Sequence, residues 1–139
     1  MTRLLIDTNI LIDLLGKREP FYSCAAQLFS LADKKKVQLS VSSLSFATAY
    51  YIISKSHKSY KVREFLRKLK ILVRVLALND KIVELALNDS AFEDFEDGLI
   101  YHTAIENTQE IIITRNLKDF KKSKLPVMNA DEYLISISN

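Results

Sequence analysis

The chain is poor in the residues that punctuate or staple a fold: its 139 residues include one cysteine, two glycines, two prolines and two histidines. A single cysteine excludes an internal disulfide, and the place of Cys24 on an apolar helical face predicts a core position. So few glycines and prolines leave little room for hairpin turns, long linkers or low-complexity segments. No glycine-rich phosphate loop is present, which argues against nucleoside-triphosphate chemistry. No His/Cys pair has zinc-site spacing, and Ser42 and Ser43 have no evident histidine partner for a nucleophilic triad. Also missing are any apolar run near the roughly 20 residues that span a bilayer and a secretory leader. Together these absences predict a cytoplasmic protein with no membrane partner.

Apolar residues make up 48% and charged residues 27%, the balance of a soluble globular protein. The length suits one domain, residues 1–139, with one core. Net charge is only +3, but it is unevenly spread. Residues 55–74 hold eight basic side chains against one acid, Glu64, whereas residues 79–110 hold nine acids against one base, Lys81. Lys118, Lys121, Lys122 and Lys124 form a second basic cluster. A run of lysines is most often a solvated helix face. An acidic centre flanked by basic surface is also what metal-assisted chemistry on a polyanion requires.

Short apolar runs alternate with helical periodicities. Leu4-Leu5-Ile6 reads as a buried strand, followed by a helix from Ile10. Pro20 opens a second helix, with Phe21, Ala25, Leu28, Phe29 and Ala32 inward. Strands follow at 37–41, 71–76 and 110–114, with helices after Ser42-Ser43 through Ile53, over roughly 60–70, after a cap at Asn79 or Asp80 through Ala86, and from about 95 to 107. Val127-Met128 and a short helix from Ala130 close the chain. This alternation predicts parallel βαβ units in an α/β protein, a three-layer α/β/α fold with a central, mostly parallel sheet. Three strands then end on polar residues at their carboxyl ends: Asp7-Thr8, Ser42-Ser43 and Thr114-Arg115-Asn116. Ligands of open α/β sheets sit beyond those ends.

Two acidic features have that address. Asp7 is either a metal ligand or nucleophile, or the cap of the helix that follows. Glu93-Asp94-Phe95-Glu96-Asp97 opens a helix, and Asp94 and Asp97 share a face of its first turn. Acids are favoured there by the helix dipole and by capping. Four acids in five residues also repel one another, which a bound cation would relieve. Mg²⁺ takes hard oxygen ligands and can activate water for phosphodiester cleavage. His102 lies five residues after Asp97, turned roughly 140° from it on a helix, and His57 sits among lysines in a loop; neither reads as a ligand. Phe46, Tyr50 and Tyr51 read as core rather than as base-stacking residues.

Asp7-Thr8-Asn9 resembles the opening motif of PIN-domain nucleases. Asp97-Gly98-Leu99-Ile100 with Ala104 resembles their later acidic helix, and Ile112-Ile113-Thr114-Arg115-Asn116 with Asp119-Phe120 their last strand and turn. The resemblance implies a PIN-like fold and endoribonuclease activity dependent on Mg²⁺ or Mn²⁺. It also implies RNA as substrate and, as for VapC-like toxins, an antitoxin protein as partner; a homodimer is common in the family. Carried onto this chain, it makes Asp7 and Asp97 the principal metal ligands, with Asp94 and either Asn116 or Asp119 completing the site. Thr8, Ser42, Thr114 and Arg115 are then placed to orient water or phosphate.

The chain departs from the family pattern twice. Thr48 stands where the third helix normally supplies a glutamate, and Asn116 stands at the last acidic position. Asp94, Glu93 or Glu96 would substitute, and Asp94 is preferred because a subgroup with a similar third helix carries an acid there. The alternative is a catalytically impaired PIN-like module that binds RNA or protein; a plainer one is that the acids only cap helices. Haloacid-dehalogenase phosphatases and response-regulator receivers also place an Asp at a strand end. Asn9 in place of a second Asp, and Thr114-Arg115 in place of a late lysine, count against both.

Overall fold

The computed structural model describes residues 1–138. Five strands, β1 (Thr2–Ile6), β2 (Val37–Ser42), β3 (Val73–Leu76), β4 (Ile111–Ile113) and β5 (Val127–Met128), form one sheet. Its order is β3-β2-β1-β4-β5, and every neighbouring pair is parallel. Six helices lie between them, α1 (Thr8–Leu15), α2 (Tyr22–Asp33), α3 (Ser43–Ile53), α4 (Ser59–Leu72), α5 (Asp80–Leu87) and α6 (Phe95–Glu106), and α7 (Ala130–Ile137) follows β5. A 3-10 turn at Leu117–Phe120 follows β4.

Alternation along the strands sorts the core into layers. Leu4, Ile6, Leu39, Val41 and Ile113 face α1, α2, α3, α4 and α7, while Leu5 and Ile112 face Ile100, Tyr101 and Ala104 of α6. Ile82 and Ala86 of α5 pack on Leu99 of α6. The sheet is thus covered on both faces, which is why its strands read as continuous apolar runs. Strand order reverses at β1, whose neighbours are β2 on one side and β4 on the other. That switch point opens a crevice at the carboxyl ends of β1 and β4.

Local boundaries and burial differ from expectation in several places. Pro20 does not open α2, which starts at Tyr22; Phe21 and Tyr22 donate their N–H groups to the Arg18 carbonyl in a turn. Phe21 is therefore exposed rather than inward. Ile71 and Leu72 finish α4 instead of starting β3, because the α4 face that buries Val62 and Leu69 carries on to Leu72. Ile71, on the opposite side, is 84% exposed. Cys24 is half-buried at the edge of the core, packed against it, with its Sγ 3.8 Å from an Asp131 carboxylate oxygen. Phe46 and Tyr50 pack partly against the core, but Tyr51 is exposed.

Candidate active site

β1 delivers Asp7 to the switch point. The strand's last residues are fully buried, and the Asp7 N–H continues the ladder to the Ile113 carbonyl (2.9 Å). Its side chain is buried and does two jobs. Oδ1 accepts the Thr8 N–H (2.7 Å), capping α1, while Oδ2 accepts the Thr114 hydroxyl (2.7 Å) and, more weakly, the Asn9 amide (3.4 Å). Burial pushes its carboxyl above the usual range, the hydrogen bonds from Thr114 and Thr8 oppose this, and Asp119 and Asp94 push it further up. The capping and acidic readings of Asp7 hold together.

Asp94 likewise combines roles. Its Oδ1 caps α6 through the Glu96 and Asp97 N–H groups (2.8 and 3.3 Å), leaving Oδ2 without a hydrogen bond among the described residues. Asp97, three residues on, is half-buried, and its carboxyl is pushed up to about 7. Desolvation contributes most, followed by the charges of Asp94, Asp7, Asp119 and Glu96. Glu96 is pushed up by burial and by the same Asp94 and Asp7. Asp119 reaches the cluster from the 3-10 turn after β4. Asp7, Asp94, Asp97 and Asp119 thus meet from β1, α6 and the post-β4 turn. None makes an ion pair among the described residues.

Asp94, Asp97 and Asp119 line a groove of about 800 Å³ together with Glu93, Lys118, Lys121 and Lys122. Asn116 borders an adjoining concavity with Arg115, Lys118 and Asp119. The Asn116 N–H donates to the Thr114 hydroxyl (3.1 Å) and its carbonyl accepts the Asp119 N–H (3.0 Å). Thr48 is half-buried on α3. His102 bonds Asp89 at 2.8 Å, consistent with its turn away from Asp97, and His57 is exposed with Nδ1 3.0 Å from the Ser56 hydroxyl.

The four residues expected to orient a substrate all bond to protein partners. The Thr8 hydroxyl is 2.7 Å from that of Ser45, Ser42 caps α3 through the Leu44 N–H, and Thr114 holds Asp7. Arg115 forms a fork with Asp13 (Nε to Oδ2 2.7 Å, Nη2 to Oδ1 3.1 Å), with its guanidinium 4.2 Å from the Phe21 ring centre. Three residues of this frame had no site role in the sequence reading: Asn9, named only within the opening motif, Asp13 and Ser45. Asn9 carried the signal of that motif, and Asp13 that of an acid inside the apolar run Ile10-Leu11-Ile12-Asp13-Leu14-Leu15.

No three His, Cys, Asp or Glu side chains among the described residues stand close enough to grip an ion by themselves. The donor set nonetheless fits a divalent cation of the Mg²⁺ type. Such an ion is commonly held by one or two carboxylates and keeps several waters, and the carboxylates here are mutually repelling and unpaired.

A model of the PIN domain matches residues 3–118, spanning the strand-end Asp7, the α6 acids and β4, and ending just before Asp119. The chain belongs to the PIN-domain family. Ribonuclease VapC1 of Aquifex aeolicus (strain VF5) is 27% identical to this PIN domain over 134 residues, 94% of this chain and 92% of that protein. A toxin–antitoxin complex from Klebsiella pneumoniae contains a similar chain, 27% identical with a TM-score of 0.68, the match covering 91% of this chain and 97% of that one. VapBC2 from Rickettsia felis, solved with a DNA fragment from its promoter, shares the fold at 23% identity and a TM-score of 0.71, covering 92% and 98%.

Proposed function

We propose that this PIN domain is an endoribonuclease dependent on Mg²⁺ or Mn²⁺, and the toxin of a toxin–antitoxin pair. The observation that carries the reading is the meeting of Asp7, Asp94, Asp97 and Asp119 at the switch point with no basic side chain paired to them among the described residues. Carboxylates that repel one another leave a negative field that a cation would relieve. Asp7 and Asp97 would hold the ion, with Asp94 and either Asn116 or Asp119 completing the set. When bound, a divalent ion polarises a phosphodiester oxygen and lowers the pKa of water at neutral pH.

The remaining work falls to the chain itself. Thr8 and Thr114 fix both oxygens of Asp7. Burial and the neighbouring acids push the Asp97 carboxyl up to about 7, so its ionisation and cation uptake are linked. Lys118, Lys121 and Lys122 line the groove beside the acids and supply positive charge along an RNA strand. The name of the Aquifex relative supports ribonuclease activity, and the toxin–antitoxin complexes support an antitoxin protein as partner. A homodimer and a cytoplasmic location belong to the same reading. No helix among the described residues is long and apolar enough to cross a membrane.

Thr48, in place of the family's usual glutamate, favours a second reading: the fold binds RNA or a protein partner without cutting. RNA hydrolysis in Mn²⁺ separates the two. The expected result is cleavage by the wild type that stops with chelator and is lost, with folding intact, in Asp97→Ala. Binding of RNA without cleavage by the wild type would favour the second reading, and undiminished cleavage by Asp97→Ala would overturn the site assignment.

A further inference from the structure

Asp13 is a buried carboxylate that none of the chemistry above uses. It is fully buried on α1, and its partner Arg115 is 28% exposed. The guanidinium fork meets the carboxylate edge to edge, and Phe21 covers its face. Such a fork fixes direction as well as distance. A buried ion pair is a weak source of stability, since a well-packed apolar pair of similar volume often serves as well or better. Its geometry therefore calls for another reason.

The backbone of Arg115 supplies one. Its N–H donates to Asn9 Oδ1 (3.1 Å), and the Asn9 amide donates to Thr114 Oγ1 (3.1 Å), the hydroxyl that holds Asp7. The Asn116 N–H donates to the same hydroxyl, and Asp119 hangs from the Asn116 carbonyl. The turn from 114 to 119 is thus tied to α1 at two points, Asn9 and the Asp13–Arg115 fork.

We infer that Asp13, Arg115 and Phe21 form a clamp that fixes the turn after β4, making Asp13 and Arg115 positioning residues for Asp7, Asn116 and Asp119. Its catalytic consequence rests on the ribonuclease reading. The guanidinium is committed to Asp13 and Phe21, so Arg115 acts through the turn and not by gripping phosphate.

The test is steady-state RNA cleavage by the full chain, with melting temperature and salt dependence measured alongside, for Asp13→Asn, Phe21→Leu and the double variant Asp13→Leu with Arg115→Met. Outer partners that orient metal ligands typically matter by about 10–100-fold, so kcat should fall by about that factor in Asp13→Asn with KM little changed. Phe21→Leu alters an exposed ring and should fold normally, with a severalfold loss of kcat. The double variant should regain melting temperature while kcat stays low. Recovery of kcat along with stability would make the pair merely structural and overturn the proposal. So would an intact kcat with raised KM and a salt slope flattened by about 0.7, the signature of one lost single-strand phosphate contact.

Amide hydrogen exchange reads the clamp without activity. In Asp13→Asn, the Arg115 and Asn116 amides should exchange at least tenfold faster (on the order of 1.4 kcal/mol of lost protection), with β1 unchanged. Unchanged exchange at those two amides overturns the clamp even if the wild type cuts no RNA. Absent wild-type cleavage together with the faster exchange would overturn the ribonuclease reading and leave the clamp standing.

Discussion

Asp97 sits half-buried among Asp94, Asp7, Asp119 and Glu96, and its carboxyl titrates near 7. Its folded-state pKa is above the unfolded value of about 3.9, so the fold favours the protonated form. That contribution to stability is complete below about pH 4 and is lost as pH rises through 7. In chelator, Asp97→Asn should therefore be stabilised relative to wild type by a margin that widens between pH 4.5 and pH 8. Melting temperatures at the two pH values measure it; a constant margin would show that burial and charge do not act on Asp97 as described. At this scale the sequence revealed the acids but not their frame. Asp7 and Asp97 were legible because a strand end and a helix start are local patterns. Asn9 and Ser45 were not, since their partners, Thr114, Arg115 and Thr8, are contacts made by the fold. Arg115 reads in sequence as placed to orient water or phosphate; its partner Asp13, which lies 102 residues earlier, is a contact made by the fold.

The 3-10 turn after β4 shows how a short element sets a functional group. Phe120 is 1% exposed and meets Phe92 edge-on at 6.0 Å between ring centres; Phe92 stacks on Tyr101 of α6 at 4.7 Å. The turn bearing Asp119 is thereby pinned to α6, which carries Asp97, and to the loop before it, which carries Asp94. Phe120→Ala should cost about 3–5 kcal/mol, the range for deleting a buried phenyl ring, and should lower kcat as Asp119 loosens. Urea unfolding checks the first part; a loss below about 1 kcal/mol would mean that the ring is not the anchor. Element existence was legible from periodicity, while edges were less so. Ile71 and Leu72 have the apolar character of a strand, yet the tertiary face of α4 claims Leu72 and leaves Ile71 in solvent. Pro20 signalled a helix start, but the turn on the Arg18 carbonyl delays it and frees Phe21 to cover Arg115.

Across the whole molecule, strand order and charge converge on one edge. The order β3-β2-β1-β4-β5 sets the ends of β1 and β4 side by side, and α6 and the post-β4 turn bring further acids there. Alternating strands and helices made the three-layer architecture legible in advance, because a covered parallel sheet imposes continuous apolar strands. Which strand ends would be neighbours was less legible, since it depends on where each crossover returns. The central claim is that this edge is a divalent-cation site built on Asp97. Calorimetric titration of the chelator-treated protein with Mn²⁺, comparing wild type with Asp97→Ala, tests it most directly. The expected result is saturable binding by the wild type that Asp97→Ala abolishes; equal binding by both proteins, or binding by neither, would contradict it.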